Sequence, residues 1–232
     1  MSSIRKWSGF AKQFFESAVD HELINRNPFR KLKSGSVANP ARNFFVTQPV
    51  IQNVIDQCPD AEWRLIIALS RFGGLRCPSE HLALRWEHVL WDIDRINVKS
   101  PKTEHVGKPE RVIPLFPELR PFLEAAFEEA PEGAEYVIHW HRGVGNFRTL
   151  MTRLVRRAGL TPWPRIFHNL RASRQTELTD SHPEHVVCTW IGNTQGVARR
   201  HYEMVTDDHF AKATQSKQPK IQTSADSEAK ID

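Results

Sequence analysis

Val89-Leu90-Trp91-Asp92-Ile93-Asp94-Arg95-Ile96-Asn97-Val98 marks a change of periodicity in a chain of 232 residues. Val89–Trp91 and Arg95–Val98 are short β-type runs on either side of an Asp-Ile-Asp turn. A third run, Arg111–Leu115, follows a polar loop from Ser100 to Glu110, so this region predicts a small antiparallel sheet of three strands. Upstream, apolar spacing predicts helices over Gln48–Gln57 and Ala61–Phe72, the second rich in Trp63, Leu65, Ile66, Ile67 and Leu69. A short helix is expected from Ser79, taken as its N-cap ahead of Glu80 and His81. Downstream the helical period returns over Pro117–Ala130 and Val144–Ala158, the latter closed by Gly159. Further helices are expected over about His168–Thr179, Pro183–Ile191, Val197–Tyr202 and Thr206–Thr214. The predicted class is α+β: a mostly helical domain with one three-stranded antiparallel sheet.

Both ends differ from this body. Ile4, Trp7, Ala11, Phe14, Ala18 and Val19 give residues 4–20 an amphipathic helical period, which stops near Asn25–Pro28. A basic, Gly/Ser/Pro-punctuated linker follows from Lys31 to Asn43. Residues 1–43 are therefore expected to be the last helix of a larger N-terminal module plus a linker, and 44–212 the main domain. Residues 213–232 are polar, with Ile221 and Ile231 as large apolar residues, and are expected to be disordered in isolation.

Composition excludes several classes. With 40% hydrophobic and 25% charged residues the chain is neither disordered nor fibrous. No apolar run reaches membrane-spanning length, and Met1–Lys6 leads into a charged amphipathic stretch instead of a signal-peptide core. Cys58, Cys77 and Cys188 lie far apart, which excludes a zinc ribbon or a disulfide framework and suits a reducing cytosol. The net charge of +5 is segregated. His141 to Arg174 holds eight arginines and no carboxylate, whereas Glu118 to Glu135 holds six glutamates and one arginine. That distribution predicts a DNA-facing surface, with Arg142, Arg148, Arg153, Arg156, Arg157, Arg165 and Arg174 as candidate contacts.

Metal and cofactor chemistry find little support. His139 and His141 have no third ligand at a recognisable spacing, so surface histidines beside a basic patch account for them better. Asp92 and Asp94 sit in a turn, and no phosphate-binding glycine motif occurs. No metal or cofactor is expected. Arginine and tyrosine are more informative. Arg76, at the end of a buried helix, can present a planar donor fork to a phosphate or simply pair with Glu80 or Glu87. His168 and Arg171, three apart on a helix, share one face. Tyr202 lies near the end of the folded body; the other tyrosine, Tyr136, sits in an apolar strand-like run where packing explains it.

Taken in order, the motifs are Gly74-Leu75-Arg76 with Glu80 and Leu82-Ala83-Leu84-Arg85-Trp86; Lys102-Thr103 ahead of Arg111-Val112-Ile113-Pro114; His168-Asn169-Leu170-Arg171; and Ile191-Gly192-Asn193 with Tyr202 nine residues later. Over about Phe44 to Lys212 this resembles the catalytic domain of the tyrosine recombinases, the phage-integrase family. The resemblance implies Arg76 and Arg171 as the catalytic arginines, Glu80 as their acidic support and Lys102 as the proton donor to the leaving 5′-oxygen. It also implies His168 as general acid/base and Tyr202 as nucleophile. Asn193 takes a place usually held by His, sometimes Trp, and cannot act as an acid or base at neutral pH. Glu80 follows Arg76 by four positions, one more than the commonest pattern.

The activity implied is site-specific DNA integration and recombination through a 3′-phosphotyrosyl intermediate, on double-stranded DNA and as a homo-oligomer, a tetramer. Two alternatives stand beside it: a type IB topoisomerase-like cleavage and religation, and a DNA-binding remnant without catalysis. Neither a membrane nor a small-molecule substrate is expected, and the location implied is cytoplasmic, with the nucleoid. Asp207–Ala213 either docks on a neighbouring protomer through Phe210 or packs Phe210 into its own core.

Overall fold

The computed structural model describes residues 2–33, 39–100, 107, 110–143 and 146–214. Residues 34–38 of the predicted linker, most of the Lys102 loop with Lys102 itself, and most of the C-terminal tail thus lie outside the described residues. In chain order the elements are α1 (Ser2–Asp20), α2 (Gln48–Ile55), α3 (Ala61–Arg71), α4 (Ser79–Ala83), β1 (Val89–Leu90), β2 (Arg95–Lys99) and β3 (Glu110–Pro114). They continue with α5 (Arg120–Glu128), α6 (Phe147–Arg157), α7 (Ile166–Thr179), α8 (Glu184–Ile191), α9 (Gln195–His201) and α10 (Asp207–Thr214). The expected class is the observed one: helices around a three-stranded antiparallel sheet of order β1-β2-β3. Among the described residues no helix is long and apolar enough to cross a membrane.

α3 is the centre of the molecule. Asp60 starts it by accepting a 2.7 Å hydrogen bond from the Trp63 amide. Every residue from Leu65 to Arg71 is buried, and α5 and α7 pack against it. An apolar helix buried on all sides has no solvated stripe, so polar groups within it need internal partners. Arg71 meets that demand by donating to the Val46 carbonyl at 3.0 Å and to Glu177 on α7 at 2.8 Å. Val46 in turn donates its amide to Ser173 Oγ at 2.8 Å, fastening the chain entering α2 to α7.

The sheet follows its period-two pattern. Ile96 pairs with Ile113 and with Val89, and all three are buried. Because alternate residues share a face, Arg111 points inward with Ile113. The Asp-Ile-Asp turn is a single 3₁₀ turn over Trp91–Ile93, with Asp94 left-handed at φ 52°. Several helix starts differ from expectation: α6 begins at Phe147, α7 at Ile166 and α9 at Gln195, each two or three residues from the expected position. Pro78, not Ser79, holds the cap position of α4, and Ser79 is the first helical residue. α5 begins at Arg120, three residues after Pro117.

Before the main body, α1 leaves Ile4, Trp7, Phe10 and Phe14 exposed. Its following loop folds back: Asn27 donates to the Lys12 carbonyl at 2.8 Å and to Glu16 at 2.6 Å, and Phe29 lies on Phe15.

Candidate active site

Glu80 is the centre of a cluster drawn from α4, β3, α7 and the loop positions Arg76 and Ser100. Its carboxylate, 1% exposed, accepts both terminal nitrogens of Arg111 at 2.7 Å. It also accepts Arg76 Nη1 at 2.5 Å, the Arg76 amide at 2.8 Å and the Ser100 hydroxyl at 3.0 Å. Arg171 Nη1 stands 3.6 Å from the same carboxylate. Burial pushes the Glu80 carboxyl up, but the Arg111 hydrogen bonds and the charges of Arg111, Arg171 and Arg76 outweigh it and hold the group at about 2. Three guanidiniums around one carboxylate leave two net positive charges inside the fold. Burial is also the largest influence on Arg171, lowering it to about 10, so it stays cationic at neutral pH.

The same three arginines gather the end of α8. Arg111 Nε donates to the Trp190 carbonyl at 2.6 Å, Arg171 Nη2 to Ile191 at 2.5 Å, and Arg76 Nη2 to Gly192. Helix C-termini leave carbonyls unsatisfied and carry partial negative charge, and here three consecutive ones are met by cations. Two glycines permit the approach. Gly74 has φ 67°, and a Cβ there would lie 2.6 Å from Ile191 Cδ1. Gly192 has φ 75°, and its Cβ would press on Arg111 Cδ at 3.0 Å.

Tyr202 caps the C-terminal end of α9 and is 9% exposed. Its ring centroid lies 4.8 Å from that of His168 and 5.6 Å from the Arg171 guanidinium carbon. The backbone is pinned by Thr176 Oγ1, which donates to the Tyr202 carbonyl at 3.1 Å. Burial, ahead of the nearby Arg165 and Arg171 charges, lowers the His168 imidazole below its ordinary value, so it is neutral at pH 7 and able to accept a proton. The Asn193 side chain turns to α7, where its Nδ2 donates to Gln175 Oε1 at 2.8 Å. Asn193 Oδ1, Gln175 Nε2 and Arg171 Nε are buried without a hydrogen-bond partner among the described residues.

The fold thus brings Arg76, Glu80, His168, Arg171 and Tyr202 into one contact network, with Asn193 beside it; Lys102 lies outside the described residues. Arg76 pairs with Glu80, as one of its two readings expects, and with 19% of its side chain exposed it is the most accessible of the three arginines. Arg148, Arg153, Arg156 and Arg157 are exposed on α6. Arg142 is exposed and lies 3.5 Å from the Tyr136 ring, which explains the placement of that tyrosine. Arg165 is half-buried at the start of α7, left-handed at φ 47°. Arg174 departs from the other six: it is buried, bonded to Glu118 at 3.1 and 3.2 Å and stacked on Phe116. Its charge serves α7 packing and it does not face a ligand surface. Phe210 is 64% exposed, so it does not pack in its own core. His141 bonds Asp60 at 3.0 Å and His139 is exposed; among the described residues no group of three or more potential ligands could hold a metal ion.

Arg111, Ser100 and Gln175 belong to the cluster although none of them is assigned a site role from sequence; Arg111 enters there only as part of the Arg111–Pro114 motif. For Arg111 a signal existed: it shares strand parity with Ile113 and Leu115. Gln175 lies four residues beyond Arg171 on α7, one helical turn away on the same side.

No protein-family model matches the sequence, and no curated protein matches it. Solved structures do. A lambda integrase tetramer bound to a Holliday junction superposes with a TM-score of 0.65 at 17% identity, covering 85% of this chain and 58% of that one. The Tn1549 transposon integrase in complex with circular intermediate DNA gives 0.63 at 14% identity over 92% and 84%. The XerA recombinase gives 0.60 at 18% identity over 75% and 65%. The chain therefore spans less than two thirds of XerA and of the lambda integrase in the tetramer. The sheet and its surrounding helices together have a tyrosine-recombinase-like catalytic-domain fold.

Proposed function

We propose that this chain is a site-specific DNA recombinase or integrase that breaks and rejoins strands through a covalent 3′-phosphotyrosyl intermediate, with Tyr202 as nucleophile. The observation that carries the reading is the convergence on one carboxylate of Arg76 and Arg171, the latter standing against the Tyr202 ring. A phenol with an ordinary pKa near 10 costs about 4 kcal/mol to ionise at pH 7. It must then approach an anionic phosphate whose five-coordinate transition state carries still more charge. Fixed guanidiniums favour the phenolate and aim donors where that charge develops.

In the step itself the Tyr202 oxygen bonds to phosphorus while the bond to the 5′-oxygen breaks. Neutral His168 receives the phenol proton, and Lys102, the residue that the family resemblance assigns, returns one to the departing oxygen. A 5′-hydroxyl from another strand can reverse the attack, so exchange needs no nucleotide triphosphate. The exposed arginines of α6 hold neighbouring phosphates and set register more than sequence choice. That the structural neighbours include integrases solved on DNA supports this assignment.

The test uses the full chain and a library of nicked duplexes with a randomised core, in EDTA. Labelled DNA should remain attached to wild-type protein in denaturing detergent and should not attach to Tyr202→Phe. Adduct formed equally by the variant would remove Tyr202 as nucleophile. Binding without any adduct would favour a DNA-binding remnant, a reading to which the inward-turned Asn193 amide lends support.

A further inference from the structure

Arg76 and Arg171 hold Glu80 less firmly than a third residue does. Arg76 makes one side-chain hydrogen bond to it, and Arg171 comes no closer than 3.6 Å. Arg111 makes the bidentate pair, both nitrogens at 2.7 Å, and adds the Ser100 hydroxyl at 2.6 Å through Nη1. With its remaining Nε it reaches across to the Trp190 carbonyl at the end of α8. One planar group therefore joins the carboxylate to the helix end whose next two carbonyls receive Arg171 and Arg76.

We propose that Arg111 is a positioning residue for the phosphate site: by tying Glu80 to α8 it sets the separation and angle at which Arg76 and Arg171 present their remaining N–H groups. The proposal rests on the recombinase reading above for its catalytic consequence, but not for its geometric one. A side chain fixed in a fork on both faces loses little freedom when a ligand arrives, and misplacement of a catalytic group by 1 Å costs about 10²-fold in rate. Arg111 does not itself reach outward; its guanidinium is enclosed by Glu80, Ser100, Trp190 and Gly192. The charged and titratable groups facing Glu80 are Arg76 from the loop before α4, Arg111 from β3, Arg171 from α7, and His81 beside it on α4.

The experiment compares wild type, Arg111→Lys, Arg111→Met and Ser100→Ala. Guanidinium ¹⁵Nε NMR reads the order of Arg76 and Arg171, and adduct rates are measured on any duplex the library returns. In Arg111→Met both Nε signals should broaden, and the adduct rate should fall about 10²-fold while duplex affinity holds. Its rate should also fall more than that of wild type as pH is lowered, because Glu80, still buried but without its chief partner, takes up a proton in addition to the His168 protonation that both proteins share. Arg111→Lys should regain part of the rate, and Ser100→Ala should show a smaller loss in the same direction, so both serve if the methionine variant does not fold. Unchanged Nε signals in the variants that fold would overturn the proposal. So would a lost rate with no acid sensitivity beyond that of wild type and no rescue by lysine. If wild type forms no adduct while the NMR change appears, the recombinase reading fails and the positioning role stands.

Discussion

Two sets of arginines differ in what surrounds them. Arg76, Arg111 and Arg171 share one buried carboxylate and the last carbonyls of α8. On α6, Arg148, Arg153 and Arg156 project into solvent, and Arg157 reaches the Gln57 carbonyl at 3.3 Å. The residue type is identical and the physics is not. Inside, low dielectric makes each guanidinium strong and its geometry fixed; outside, the charge is screened and the side chain adapts to whatever phosphate arrives. Under the proposed function, chemistry falls to the first set and grip to the second.

The sharpest way to break this contrast is Arg171→Lys. An ammonium cannot donate to Gly74 and Ile191 and still face a phosphate, so adduct formation in a quenched time course should fall about 10²–10³-fold with duplex affinity nearly unchanged. A matching drop in affinity would erase the distinction between the two sets.

Glu80→Gln tests what holds the inner set together. Removing the carboxylate leaves three guanidiniums uncompensated and should cost about 3–5 kcal/mol in denaturant unfolding at pH 7. The sign with pH follows from a native carboxyl lowered to about 2. Its contribution is complete above the unfolded value near 4.3 and is lost as pH falls through the native one. The gap between wild type and variant should therefore narrow from about pH 4 down to about 2; a gap that widened on acidification would contradict the assignment.

The smallest effect is expected outside. Arg148, Arg153 and Arg156 changed together to Gln should lower the salt dependence of duplex affinity, by about 0.9 in slope for each phosphate no longer neutralised. The adduct rate of the bound complex should stay as it was. A slower rate once bound would mean that α6 shapes the reacting phosphate.

Much of the fold and of the site is legible in the sequence, for identifiable reasons. Period-two runs bounded by turn residues place the sheet, and a long apolar period places α3. The three-residue spacing of His168 and Arg171 puts both against Tyr202. Arg174 is not legible: α7 is buried along nearly its whole length although its composition is polar, so nothing local separates an arginine paired with Glu118 from one on α6. Ser79 is not the cap because the helix already begins with it, Pro78 standing in the cap position with αR backbone and no side-chain hydrogen bond. Asn193 is legible as a departure. Its engagement with Gln175 is not, since that depends on how α7 meets the turn after α8.

The grasp on the end of α8 has a mechanical corollary. Cations from three separate elements clamp residues 190–192, while the arm beyond, from Asn193 through Tyr202, leaves that clamp at a left-handed glycine. Such a joint separates two duties: one residue sets the direction in which the arm carrying the phenol departs, while contacts elsewhere in the fold fix the cations that hold its root.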